Sequence, residues 1–146
     1  MPESIPHDPF PDGIRSRKLP IVSCRVQTIK LLFEQSLAVL EATHAVGLPL
    51  IQMLGLAQRV ACVICGDETA NTKPHPEPLL TASNKMAIAP ANCIYLGDDI
   101  RDVQASLAAD MQPIVARYGY LGNDQPPETW GARYLIDHPK ELLTYL

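Results

Sequence analysis

The sequence predicts an α/β domain built on a parallel sheet, and three observations carry that prediction. Two short apolar runs, Val60–Cys65 and Cys93–Leu96, each lead into a Gly-Asp pair. A segment with helical character follows each run, and the apolar runs Pro113–Ala116 and Tyr134–Ile136 continue the alternation. Strand-helix-strand order implies parallel pairing through crossover connections. Ligands of such sheets bind beyond the carboxyl ends of the strands. Gly66-Asp67 and Gly97-Asp98 both fall there.

Taken in order, the elements divide at about Gly47. Residues 1–47 read as an irregular or helical segment and residues 48–146 as the regular part. The stretch up to Leu19 is proline-rich and reads as irregular. Thr28–Thr43 places Ile29, Leu32, Phe33, Leu37 and Leu40 at near-helical spacing, which predicts one amphipathic helix. Pro49–Leu54 predicts a short helix stopped by Gly55. Val60–Cys65 is a buried strand by its continuous apolar run. Pro76 or Pro78 opens a helix reaching about Ala87, since proline is tolerated in a first turn. Cys93–Leu96 is the next strand, Asp102–Ala109 a short helix, Pro113–Ala116 and Tyr134–Ile136 further strands. Pro139–Leu146 closes as a helix capped by Asp137 or His138.

Composition excludes several function classes. With 146 residues, the chain is long enough to bury a real core. Net charge is −4, and Arg15, Arg17 and Lys18 are too few for a nucleic-acid footprint. Aromatics are 5%, which leaves no stacking platform for single strands. No apolar run reaches membrane-spanning length. The first residues lack the basic-then-apolar pattern of a leader, so the expected compartment is the cytoplasm. Cys62-x-x-Cys65 has metal or redox spacing. A zinc site would want a second pair or nearby histidines, so the pair reads as core or strand-end thiols in a reducing compartment.

The chemistry concentrates in Tyr95-Leu-Gly-Asp-Asp-Ile-Arg-Asp102. A strand delivers Asp98 and Asp99 to the sheet edge, and Gly97 allows a sharp turn and a close approach to a ligand. Once a helix has begun, Asp102 returns to the same face. Three converging carboxylates repel one another, and a hard divalent cation such as Mg²⁺ relieves that. Lys73, in a loop stiffened by Pro74 and Pro76, adds a positioned ammonium suited to a phosphoryl group. Bland readings compete at each position. Asp98 or Asp99 can serve as an N-cap, Asp102 as a first-turn acid, and Lys73 as a solvated loop residue.

These residues have a family likeness. Lys73-Pro followed by Gly97-Asp98-Asp99-x-x-Asp102 resembles motifs three and four of the haloacid-dehalogenase (HAD) superfamily of phosphatases. Val63-Ile-Cys-Gly-Asp67, Lys73–Leu80, Cys93–Asp99 and Arg117-Tyr-Gly-Tyr120 resemble the phosphoglycolate phosphatase branch. Trp130-Gly-Ala132 and Asp137-His-Pro139 are similar to the related N-acetylmuramic acid 6-phosphate phosphatases. The resemblance covers about Leu48–Leu146. It implies a Rossmann-like core, incomplete at the N-terminus, of which residues 48–146 are the C-terminal part. It implies Mg²⁺ as cofactor, a small phosphorylated metabolite as substrate, and hydrolysis through an aspartyl-phosphate. Asp98 would hold the metal directly, Asp99 or Asp102 would assist, and Lys73 would bridge phosphate and nucleophile.

The departures are equally specific. The family's Asp-x-Asp-Gly-Thr nucleophile strand is missing, since Asp8 and Asp12 have the wrong spacing and no preceding apolar run. No motif-two Ser or Thr is recognisable; Ser36 and Thr43 fall in the predicted helix, and Ser23 is a weak candidate. A truncated or frame-shifted reading of a longer gene would produce this pattern, and upstream DNA lacking such a segment in every frame would refute it. A catalytically silent remnant is the alternative. A receiver-type phosphorylation switch does not fit, because there the acidic pair precedes the lysine. A missing central strand would expose a sheet edge and favour self-association. Asp110 stands where the family has a helix-ending glycine. His75, His138 and Trp130 read as structural residues; Arg117 and Tyr118 follow the third strand near the predicted site, and bordering it is the lesser of their two readings.

Overall fold

The computed structural model describes residues 21–23, 36–39, 43–58 and 60–145. Six strands form one sheet: β1 (Ile21–Ser23), β2 (Ser36–Val39), β3 (Val60–Ile64), β4 (Ile94–Gly97), β5 (Gln112–Ala116) and β6 (Tyr134–Ile136). Their spatial order is β3-β2-β1-β4-β5-β6, and every neighbouring pair is parallel. Among the described residues three α-helices pack on the sheet: α1 (His44–Met53), α2 (Glu77–Lys85) and α3 (Ile100–Ala108). The chain ends in a 3₁₀ helix, Pro139–Tyr145, rather than the α-helix expected there. Its N-terminal cap is also reversed: the Glu141 carboxylate accepts from the backbone N–H groups of Asp137 and His138.

Residues on β4 alternate between two apolar layers, as the pleat requires. Cys93 and Tyr95 pack with Ile64, Leu79, Ala82 and Ala105 on the side of α2 and α3. Ile94 and Leu96 pack with Ile114, Ala116, Ile136 and Leu142 on the other. All four residues of β4 are buried, which explains why its sequence is continuously apolar rather than alternating.

The sequence expectations need correction before residue 47. Ser36–Val39 lies inside the predicted Thr28–Thr43 helix but is extended and paired with β1 and β3. A short apolar run such as Ser-Leu-Ala-Val suits a buried strand as well as one helical turn, and spacing does not separate the two. Thr43 is the extended N-cap of α1; residues 28–35 and 40–42 of that predicted helix lie outside the described residues, as do Asp8 and Asp12. Helix α1 starts at His44, ahead of the expected Pro49. It stops where expected, with Gly55 at φ 66° and Leu56 N–H donating to the Ile51 carbonyl. Ile21–Ser23 pairs with both β2 and β4. The place beside β4, anticipated as an open edge, is therefore occupied by β1.

Helix ends follow the sequence more closely. Pro78 sits in the first turn of α2. Asp110, at the end of α3, takes the left-handed conformation at φ 59°, and Met111 N–H returns to the Ser106 carbonyl. No helix among the described residues is long and apolar enough to cross a membrane.

Candidate functional site

Because the sheet is parallel, the segments after β3, β4 and β5 emerge at the same end. The segment after β4 is the acidic loop. Asp99 caps α3: its carboxylate accepts from Arg101 N–H at 2.8 Å, and Asp102 reaches back to complete a capping box. The arrangement is organised around Asp102, which is 1% exposed. Its Oδ2 accepts from the backbone N–H groups of Asp98 and Asp99, at 3.1 and 3.2 Å. Its Oδ1 accepts from Lys73 Nζ at 2.5 Å and from the Tyr95 hydroxyl at 3.2 Å. Four donors on one carboxylate satisfy a buried charge that would otherwise be costly.

Lys73 reaches this point from the loop after β3, whose approach is held by Glu77. That carboxylate accepts from Ala70 N–H, Asn71 N–H and the Asn71 side-chain amide. These bonds, the Asn71 side chain foremost, hold the Glu77 carboxyl below the usual range. His75 accepts from Glu77 N–H through Nδ1, the structural role expected of it. The third segment supplies Tyr120, whose backbone N–H donates to Asp98 Oδ2 at 2.7 Å. Its loop is anchored by Arg117, which pairs in a fork with Asp137 and also reaches Glu128.

The structure thus brings Lys73, Asp98, Asp99 and Asp102 to one sheet end, with Lys73, Asp98 and Asp102 buried. It also divides their work. Asp102 is engaged by protein donors on both oxygens and holds the loop and the lysine in place. Asp98 is placed at the end of the central strand. Asp99 pairs with Arg101 at 2.9 Å, and the guanidinium keeps its carboxyl below the usual range against the opposing effect of partial burial. The donor set suits a hard cation, since every side chain at the acidic end offers oxygen. Asp98 and Asp99 are the carboxylates that could hold one without dismantling the Asp102 network.

Gly97 also makes room for Asp102: a Cβ at this position would collide with the Asp102 side chain. Tyr95 was not flagged in the sequence because it reads as an ordinary core residue. Tyr120 contributes through its backbone, which composition cannot reveal. Asp67, the second Gly-Asp acid, does not join this cluster and pairs with His44 instead. Trp130 packs on Val103 and Val115 with its indole N–H on the Gln125 carbonyl, an anchor as expected.

Fold and site together define a doubly wound α/β domain with an acidic, lysine-bearing ligand end. The chain belongs to the haloacid dehalogenase-like hydrolase family, whose pattern matches residues 41–116. It is 43% identical over 94 residues to an N-acetylmuramic acid 6-phosphate phosphatase of Pseudomonas putida, covering 64% of this chain and 42% of that one. A phosphoglycolate phosphatase of Xylella fastidiosa is 44% identical over 93 residues, 64% of this chain and 41% of that one. The chain therefore spans less than half the length of these relatives. Among solved structures, a predicted phosphoglycolate phosphatase from Haemophilus somnus superposes with TM-score 0.71 at 18% identity, over 82% of this chain and 54% of that one. A HAD-superfamily hydrolase from Geobacter sulfurreducens gives 0.64 at 20%, over 82% and 53%. At these identities the structural likeness concerns the fold.

Proposed function

We propose that this chain carries the metal- and phosphate-holding half of a Mg²⁺-dependent, cytoplasmic phosphatase site for a small phosphomonoester, of the phosphoglycolate or sugar-phosphate kind. The reaction would run through an aspartyl-phosphate. The observation that carries the reading is the buried Lys73–Asp102 pair set directly under Asp98 and Asp99. Asp98 would hold Mg²⁺, with Asp99 assisting. Asp102 acts on the loop rather than on the ion, and Lys73 would face the phosphate. Bound there, Mg²⁺ would offset the charge that develops on the transferring phosphoryl oxygens. The N-acetylmuramic acid 6-phosphate phosphatase and phosphoglycolate phosphatase to which the chain is similar favour this substrate class.

A second reading has a specific observation behind it. The strand beside β4 is Ile21–Ser23, and no Asp or Glu occurs from Leu19 through Phe33. A carboxylate nucleophile at the end of β1 is therefore lacking, which favours a folded chain that at most binds Mg²⁺ or phosphate. Hydrolysis of 2-phosphoglycolate and of N-acetylmuramic acid 6-phosphate, measured with and without Mg²⁺, separates the two. Mg²⁺-dependent turnover abolished by Asp98→Asn supports the first. A folded sample without turnover, but with Mg²⁺ binding lost in Asp98→Asn, supports the second.

A further inference from the structure

A second cluster lies at the same end of the sheet, beside the edge strand β3. The first residue of α1, His44, faces the loop that follows β3. Its Nδ1 lies 2.8 Å from Asp67 Oδ1 and its Nε2 lies 2.7 Å from Glu68 Oε1. Asp67 also accepts from the His44 backbone N–H, and Glu68 is braced by Lys85 at 3.2 Å. Cys65, buried at the end of β3, completes the group: one ligand atom each from His44, Cys65 and Asp67 lies within 4.8 Å of the others. Cys62, by contrast, packs on the apolar layer beneath α2 and α3, so the Cys-x-x-Cys spacing does not make a pair.

We propose that His44, Cys65 and Asp67 form a site for a borderline-soft divalent cation, with Zn²⁺ the best match. The donor set is one nitrogen, one sulfur and one oxygen. Zn²⁺ takes such mixed sets tetrahedrally at about 2.0–2.3 Å per bond, which places ligand atoms roughly 3.3–3.8 Å apart. The cluster needs only small shifts to reach this. The cation would replace the proton shared by His44 and Asp67, moving these two apart and the thiolate inward. Mg²⁺ is disfavoured here because it rejects sulfur.

Glu68 strengthens the argument. Metal-bound histidines typically donate their second ring N–H to a carboxylate that fixes the tautomer and ring orientation. Glu68 holds Nε2 in that way, directing Nδ1 toward Asp67 and Cys65. A helix-capping ion pair needs only His44 and the two acids; Cys65 has no part in one. With three protein ligands and half-exposed His44 and Asp67, a fourth position stays open to water or another small ligand. The site would lash the first turn of α1 to the loop that runs on to Lys73.

The test uses the full chain, reduced and stripped of metal with a chelator, then titrated with Co²⁺ or Zn²⁺. We expect saturable uptake with a thiolate-to-Co²⁺ charge-transfer band that Zn²⁺ displaces. Cys65→Ser should abolish the band, and Glu68→Gln should weaken binding about 10–100-fold. Cys24→Ser, Cys62→Ser, Cys93→Ser and Asp98→Asn should change neither. Absence of the band, its survival in Cys65→Ser, or its loss in Cys24→Ser or Cys62→Ser would overturn the assignment. If Cys65→Ser does not fold, Asp67→Asn on the exposed loop decides instead: unchanged Zn²⁺ affinity refutes the site, and a large loss upholds it.

Discussion

Lys73 Nζ and Asp102 Oδ1 lie 2.5 Å apart although 29 residues separate them in the chain, and both side chains are almost wholly screened from water. This bond joins the loop after β3 to the first turn of α3. Each partner answers the other's charge, and Asp102 simultaneously fixes the backbone of Asp98 and Asp99.

Removing either partner leaves the other buried and uncompensated, which costs about 3–5 kcal/mol. Asp102→Asn and Lys73→Met should each lower urea-unfolding stability by that order. In the double variant Lys73→Met/Asp102→Asn the loss should be smaller than the sum, as expected for coupled neighbours. Strictly additive losses would show that the pair does not act as a unit.

Gly97→Ala puts a methyl into space that Asp102 occupies. Neither the loop backbone nor a four-fold bonded carboxylate yields cheaply, so about 1–3 kcal/mol of stability should be lost, as in overpacked cores. Thermal unfolding would measure it. If a site metal binds at Asp98, its affinity should fall alongside, since the substitution displaces Asp102 from the loop. A neutral effect on stability would contradict the packing described here.

Ala87 and Asp110 both carry positive φ, at 53° and 59°, where a side chain crowds the following carbonyl. Ala87→Gly should raise stability, by up to about 1 kcal/mol. Asp110→Gly should gain less, because aspartate tolerates this conformation better. Guanidinium melts of the two variants would check both the sign and the order.

Burial pushes the Cys93 thiol up to about 11 from an ordinary value of 9.0. Below pH 9 the folded and unfolded chains both keep this proton. Between pH 9 and about 11 the unfolded chain sheds it first, so the Cys93 contribution to stability is lost as pH rises. The difference in unfolding free energy between wild type and Cys93→Ala should therefore shrink across that interval. A constant difference would contradict the shift.

Much of the second half of the fold was legible because its strands are continuously apolar, although only β4 is wholly buried and the edge strand β3, expected to be buried, exposes Ala61; its helices are marked by Pro78, Asp99 and the turn at Asp110. The acidic cluster was legible for a similar reason: Asp98, Asp99 and Asp102 are close in sequence, and the strand before them fixes where they emerge. What sequence could not show was the allocation of roles. Sequence could not show that Asp102 accepts from four protein donors, because two of those are backbone groups. Strands β1 and β2 were missed because two or three apolar residues do not distinguish a strand from a helical turn. His44 was overlooked because its partners, Asp67 and Glu68, lie more than twenty residues away and meet it only once α1 docks against the end of β3.

The order of the sheet also shapes how the protein reaches its folded state. Val22 and Tyr95 face each other across β1 and β4, roughly seventy residues apart in the chain. The centre of the sheet thus depends on one of the most distant pairings in the chain. Closing so long a loop is entropically unfavourable, and sheets dominated by such distant pairings fold slowly. Until that pairing forms, the apolar β4 lacks a neighbour on one side, the kind of unpaired edge that invites aggregation.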